Sequence, residues 1–153
     1  LPRFRSLPHR LELVGEVGGV RFINDSIATS PVRAAAGVRA TPGPVILLAG
    51  GKPKGLPLDP LVEAAREKCR LVVPYGQAGP QVHAAMAAGG VPVGEPQPGL
   101  AAAFRRAREA ARPGDAVLLS PAHASFDEFR DFEHRGEVFR QLVREWLGQN
   151  TSR

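Results

Sequence analysis

Four short stretches hold most of the residues able to do chemistry. Residues 24–30 read Asn-Asp-Ser-Ile-Ala-Thr-Ser, directly after an apolar run. Asp25 at the end of a strand suits a ribose hydroxyl, as acidic residues do in dinucleotide folds. Thr29 either bonds a carboxylate or caps a helix starting near Pro31. Residues 50–55, Gly-Gly-Lys-Pro-Lys-Gly, combine glycines that let a ligand approach the backbone with two point cations, Lys52 and Lys54. Residues 120–127, Ser-Pro-Ala-His-Ala-Ser-Phe-Asp, offer Ser120, Ser125 and Asp127 as caps for a short helix, whose first N–H groups would bind an anion. Residues 7–12, Leu-Pro-His-Arg-Leu-Glu, present Arg10 as an anion clamp beside His9.

Several familiar chemistries are excluded. The lysines of residues 50–55 are not followed by Ser or Thr in the phosphate-loop pattern, so no cradle of that kind forms here. His123 lies too close in sequence to Ser120 and Asp127 for a hydrolytic triad, and no Gly-x-Ser-x-Gly turn is present. The histidines at positions 9, 83, 123 and 134 have no metal-ligand spacing, so no metal site is expected.

The elements that must position these stretches are legible in the hydropathy. Apolar-rich residues 11–17 and 20–25, joined by Gly18 and Gly19, predict a hairpin, since both glycines accept positive φ. After it, helices are expected at about 31–40, 58–69, 77–89, 98–112 and 134–147. They alternate with strands at 44–49, 71–75, 91–93 and 116–120. This alternation, with unbroken apolar strands, predicts an α/β fold: a Rossmann-like three-layer α/β/α domain with a mostly parallel mixed sheet and an N-terminal β-hairpin. In such sheets ligands collect beyond the carboxyl ends of the strands, where three of the four stretches fall.

The bulk composition bounds partners. The chain has 153 residues, enough for one domain, and a formal net charge of +5. The arginines are scattered along helices rather than grouped with aromatics, so charge alone supports small anions at least as well as nucleic acid, and no nucleic-acid partner is expected. No apolar run approaches a membrane span, and no signal peptide opens the chain. The lone Cys69 cannot form an internal disulfide, and a cytoplasmic location is expected. The chain starts at Leu1 rather than Met, as expected of a processed or excised piece.

Taken in order, the four motifs, the last extending as S-P-A-H-A-S-F-D-E-F-R-D-F-E-H-R-G-E-V-F, resemble the C-terminal domain of the Mur ligases, and among them the D-glutamate-adding kind. The likeness runs from about Leu7 to Leu147. It implies that residues 1–6 are a linker from missing upstream domains, that 7–147 are the domain, and that 148–153 are a flexible tail. It further implies a cytoplasmic, monomeric ATP-dependent ligase in peptidoglycan synthesis. There the carboxylate of UDP-N-acetylmuramoyl-L-alanine takes the γ-phosphoryl group of ATP, and the amine of D-glutamate displaces phosphate from the acyl phosphate. Mg2+ would be held by the missing central domain, and the isolated domain would be inactive.

By the same resemblance, Thr29 and Lys54 hold one carboxylate of D-glutamate. Ser125 and the backbone at Phe126 and Phe132 hold the other, while Arg10 and Asp25 meet ATP or ADP. His9, Asn24, Ser26, Lys52 and His123 stand beside these as further candidates. The chain departs from the pattern at Ile27, where Lys is usual, at Ser30 in place of Asn, at His123 in place of Cys, and at Phe126 where Leu is common. With the cation at Ile27 lost, either Lys52, Lys54 or an arginine elsewhere compensates, or activity is altered. The alternative that Ile27 supports is a stand-alone or inactive small-anion-binding module of the same fold.

Overall fold

Residues 45–50, Val-Ile-Leu-Leu-Ala-Gly, carry no charge and no residue averse to extended backbone before the final glycine. In the computed structural model, which describes residues 7–151, they form the buried strand β3 (Val45–Gly50). Beside it lies β5 (Ala116–Ala122), equally buried. Burial on both faces explains the absence of polar alternation. Val45, Leu47 and Ala49 enter one core, while Ile46 and Leu48 enter the other. The remaining strands are β1 (Glu12–Val17), β2 (Val20–Asn24) and β4 (Cys69–Tyr75), in the sheet order β1-β2-β5-β3-β4.

Among the described strands only the β1–β2 pair is antiparallel; β2, β5, β3 and β4 run parallel. Gly18 and Gly19 turn the hairpin with φ of 58° and 82°. Helices α1 (Pro31–Ala40), α2 (Asp59–Lys68) and α3 (Gly79–Ala88) supply the first core. Helices α4 (Leu100–Ala110) and α5 (Phe132–Thr151) supply the second, where Phe104 meets Phe22 and Phe139. The three-layer α/β/α domain with a mixed sheet and opening hairpin is therefore observed. Because β2, β3 and β5 are parallel, the segments that follow them leave the sheet at one edge.

Three local expectations differ from the structure. Residues 91–93 are not a strand. They begin a strap along β4 that touches it only at isolated bridges, Val72 with Val93 and Tyr75 with Gln97. Pro92, Pro96 and Pro98 have no N–H to donate, so a continuous ladder cannot form. No helix opens at Ser120 or Ser125, because Ser120 still belongs to β5 and residues 126–128 are a turn. The helix begins at Phe132, capped by Asp131, whose Oδ1 accepts the N–H of His134 at 2.8 Å. The expected flexible tail is helical from Gly148 to Thr151. Trp146 and Leu147 pack on the second core, and Asn150 Nδ2 donates to the Trp146 carbonyl at 2.9 Å, which carries α5 onward. The linker expected at 1–6, and residues 152–153 of the tail, lie outside the described residues.

Among the described residues no helix is long and apolar enough to cross a membrane.

Candidate functional site

The loop after β2 does two jobs with alternate residues. Asp25 N–H donates to Leu119 O at 2.7 Å, which continues the sheet one residue past the strand. Asn24 Oδ1 then accepts the N–H of Ser26 at 3.1 Å, a side-chain turn of the kind Asn favours. Ser30 caps α1, its Oγ accepting from Arg33 N–H at 3.3 Å. The cap is thus Ser30 and not Thr29, which leaves the Thr29 hydroxyl for another partner.

Thr29 lines a small pocket of about 140 Å³ together with Lys54, Ala124, Ser125, Phe126, Asp131 and Phe132. Five of these seven are the residues expected to hold D-glutamate, brought from three separate segments. Ser125 is only 2% exposed and its Oγ has no hydrogen-bond partner among the described residues. A buried hydroxyl without a partner carries a desolvation cost that a ligand oxygen relieves. Lys54 is exposed and can swing over the mouth, while Phe126, 64% exposed, forms an apolar rim. Phe132 is the first residue of α5, so its N–H has no intrahelical acceptor and the helix dipole favours negative charge here. Asp131 also lines the pocket and was not anticipated; it contributes the one carboxylate.

A second, larger groove of about 370 Å³ lies on the other side of the same loop. It is lined by Arg10, Leu11, Asp25, Ile27, Ala28, Arg33, Ala36, Gly37 and Ala40. Arg10 and Asp25 are together here. Asp25 is buried, and both of its oxygens already accept bonds: Oδ1 from Leu11 N–H at 3.1 Å and Oδ2 from Ser120 Oγ at 2.7 Å. Burial raises its pKa above the ordinary carboxylate value, against the pull of those bonds. Ile27 adds apolar wall. Arg33, one turn into α1, brings a cation to the same groove and is a residue that sequence reasoning does not single out. Its signal was only that a helix starting near Pro31 turns an early residue back toward the loop.

The remaining candidates line neither pocket. They hold the loops in place. His9 is buried with φ of 66°, and its Nδ1 accepts from Asn24 Nδ2 at 3.0 Å, so the neutral ring carries its proton on Nε2. The same Asn24 nitrogen donates to Glu12 Oε1 at 3.0 Å. A Cβ at Gly136 would sit 2.0 Å from His9 Nδ1, so glycine is required there for the segment around His9 to dock on α5. Burial lowers the His9 pKa, with help from Arg140. Glu12 loses some ionisation to burial, but Arg140, the His9 N–H and Asn24 together hold its carboxyl below the ordinary value.

Lys52 is exposed outside both pockets. Its backbone N–H donates to Ala124 O at 2.8 Å and joins two of the loops. His123 is buried and donates from Nδ1 to Pro121 O at 3.0 Å, with its pKa lowered chiefly by burial. Ser26 is bonded to Arg135, a fully buried arginine that sequence reasoning missed because an Arg on an amphipathic helix ordinarily faces water. Among the described residues no three His, Cys, Asp or Glu side chains converge as metal ligands.

A family model described as Mur ligase, glutamate ligase domain, matches residues 9–123. The chain belongs to that Mur ligase domain family. Curated relatives agree. A UDP-N-acetylmuramoylalanine–D-glutamate ligase of Symbiobacterium thermophilum is 44% identical over 143 residues, which covers 92% of this chain and 31% of the relative. One from Aromatoleum aromaticum is 48% identical over 142 residues, 92% of this chain and 30% of the relative. The chain therefore spans about a third of the length of the curated relatives it matches. Solved structures share the fold. A bifunctional folylpolyglutamate/dihydrofolate synthase of Yersinia pestis, complexed with AMPPNP and a Mn ion, aligns with TM-score 0.61 at 20% identity, over 90% of this chain and 32% of that one. A domain of a Haemophilus ducreyi UDP-N-acetylmuramate:L-alanyl-γ-D-glutamyl-meso-diaminopimelate ligase aligns with TM-score 0.58 at 16% identity, over 92% of this chain and 98% of that one.

Proposed function

We propose that this Mur ligase domain is the C-terminal part of an ATP-dependent ligase that adds D-glutamate to UDP-N-acetylmuramoyl-L-alanine, with the small pocket receiving D-glutamate and the larger groove receiving ATP or ADP. The observation that carries the reading is the meeting of Thr29, Lys54 and Ser125, from three segments, around a space sized for a small molecule. The names of the curated relatives support the same substrate.

In this reading Lys54 and the Thr29 hydroxyl take one carboxylate. The Ser125 hydroxyl and the backbone at Phe126 and Phe132 take the other. Charge-assisted bonds of this kind are the stronger ones in proteins. Asp131, whose Oδ1 is engaged by His134 N–H, leaves its second oxygen for the ammonium group. The larger groove fits a nucleoside diphosphate in kind: an apolar wall of Leu11, Ile27, Ala36 and Gly37 for a flat ring, the buried Asp25 for a ribose hydroxyl, and Arg10 and Arg33 for phosphates. ATP supplies the phosphoryl group that activates the acceptor's carboxylate. This domain holds the incoming amine in place and shields the acyl phosphate from water. Mg2+ is assigned to residues outside this chain.

Calorimetric titration of this chain tests the reading. D-glutamate binds at millimolar concentration, L-glutamate and D-alanine bind at least several-fold more weakly, and ADP binds whether or not D-glutamate is present. Equal heats for all the amino acids, or none for D-glutamate, would remove the substrate assignment.

A further inference from the structure

Next to the loops that line the small pocket lies a buried charge with no carboxylate in direct contact. Arg135 belongs to the first turn of α5 but points inward and is 0% exposed. Its Nε donates to Ser26 Oγ at 2.9 Å, its Nη1 to His123 O at 2.9 Å and its Nη2 to Ser26 O at 2.8 Å. All three acceptors are neutral, and none of the ion pairs among the described residues includes Arg135. Tyr75 lies near enough to interact electrostatically, although its hydroxyl makes no hydrogen bond of ordinary geometry, and the carboxylates of Asp127 and Glu128 act on the guanidinium from beyond ion-pair distance. Keeping a guanidinium out of water with its carboxylates at a distance is costly, and a further anion nearby offsets part of that cost.

Every segment that lines the pocket meets this side chain. Ser26 belongs to the loop that carries Thr29, and its Oγ donates onward to Phe132 O at 2.6 Å. His123 precedes Ala124 and Ser125 in the loop after β5. A Cβ at Gly51, at the start of the loop that carries Lys54, would lie 3.3 Å from Arg135 Nη1.

We propose that Arg135 is a positioning residue for the small pocket. Its planar fork bonds the loops of Ser26 and His123 and packs against Gly51 at the start of the third, which keeps them at the spacing where Thr29, Lys54 and Ser125 converge, and its buried charge favours an amino acid with two carboxylates over one with a neutral side chain. In a low-dielectric interior a charge acts over a longer range than in water, so direct contact with the ligand is not needed. The inference rests on the reading of this pocket as the D-glutamate site.

The test compares D-glutamate with D-glutamine on this chain by amide NMR titration, using ADP shifts at Arg10 and Ile27 as the control for an intact fold. Arg135→Lys keeps the charge but not the fork. It weakens D-glutamate by roughly 10-fold and retains the preference for D-glutamate over D-glutamine. Arg135→Met weakens D-glutamate by roughly 10- to 100-fold, weakens D-glutamine less, and so shrinks the preference several-fold. A role confined to stability would lower both ligands alike, so an unchanged ratio in a folded Arg135→Met overturns the proposal. Should that variant not fold, the wild type decides. The Arg135 Nε–H resonance moves on addition of D-glutamate and stays put with ADP, and a resonance indifferent to D-glutamate overturns the proposal. If wild type ignores D-glutamate altogether, the pocket assignment itself falls, and this inference with it.

Discussion

The two pockets share one loop and differ in almost everything else. The smaller is polar, draws on three loops and the start of α5, and contains a buried hydroxyl awaiting a partner. The larger is walled by the loop on one side and the small residues of α1 on the other, and its buried acid is already bonded twice. Residues 25–29 serve both: Asp25, Ile27 and Ala28 line the larger, Thr29 the smaller. A single turn thus separates a place for a compact dianion from a place for a longer, flatter ligand. The smaller pocket depends on distant segments staying together, and the larger mostly on the docking of residues 9–11.

That contrast can be broken most severely at Gly136. Gly136→Ala forces a methyl into His9, and overpacking of this kind costs about 3 kcal/mol. Chemical denaturation should show that loss, and ADP binding should suffer more than D-glutamate binding, because Arg10 follows His9. Next in size, Lys54→Met removes a charged partner from the small pocket alone. D-glutamate affinity should fall by about 2 kcal/mol while ADP is unaffected, as read by titration calorimetry. The reverse pattern follows for Arg33→Ala, which should cost ADP about 1 kcal/mol and leave D-glutamate unchanged, the loss shrinking as salt is raised.

Acidification gives a smaller effect. His9 and His123 are both held neutral by burial, so their folded pKa values lie below the ordinary 6.5. As pH falls through 6.5 the unfolded chain binds these protons and the folded chain does not. The stability they contribute is complete above 6.5 and declines below it, by up to about 1.4 kcal/mol per pH unit for each ring. Thermal melts between pH 7.5 and 5 should show the decline, and His123→Cys should flatten it. Invariant melting across that range would mean that the rings are already exchanging protons with water.

Much of this was legible beforehand where the signal is local or periodic. Gly18 and Gly19 announce their hairpin because few other residues accept positive φ twice in succession. The apolar runs at β3 and β5 announce a doubly covered sheet, and parallel strands then bring their following loops to one edge. What failed depended on choices among equals or on contacts far apart in sequence. Ser125 and Asp131 are both good caps, and only the packing of α5 selects Asp131. The strap at 91–97 is apolar enough for a strand, but its prolines deny the ladder. Arg135 looks like a solvent-facing helix residue until Ser26 and His123, from two other loops, are placed around it. Ser26, Asn24, His9 and His123 stand in the motifs that attract attention, yet their partners are other protein groups, which sequence position alone does not reveal.

The central claim is that two ligands occupy two adjacent but separate pockets. Amide NMR of the labelled chain, titrated first with D-glutamate and then with ADP, addresses it directly. D-glutamate should move Thr29, Lys54, Ser125 and Phe132 and leave Ile27 and Gly37 in place; ADP should then move Arg10, Asp25, Ile27 and Gly37. Competition between the two ligands for one set of resonances, or movement confined to surfaces remote from both pockets, would contradict the account.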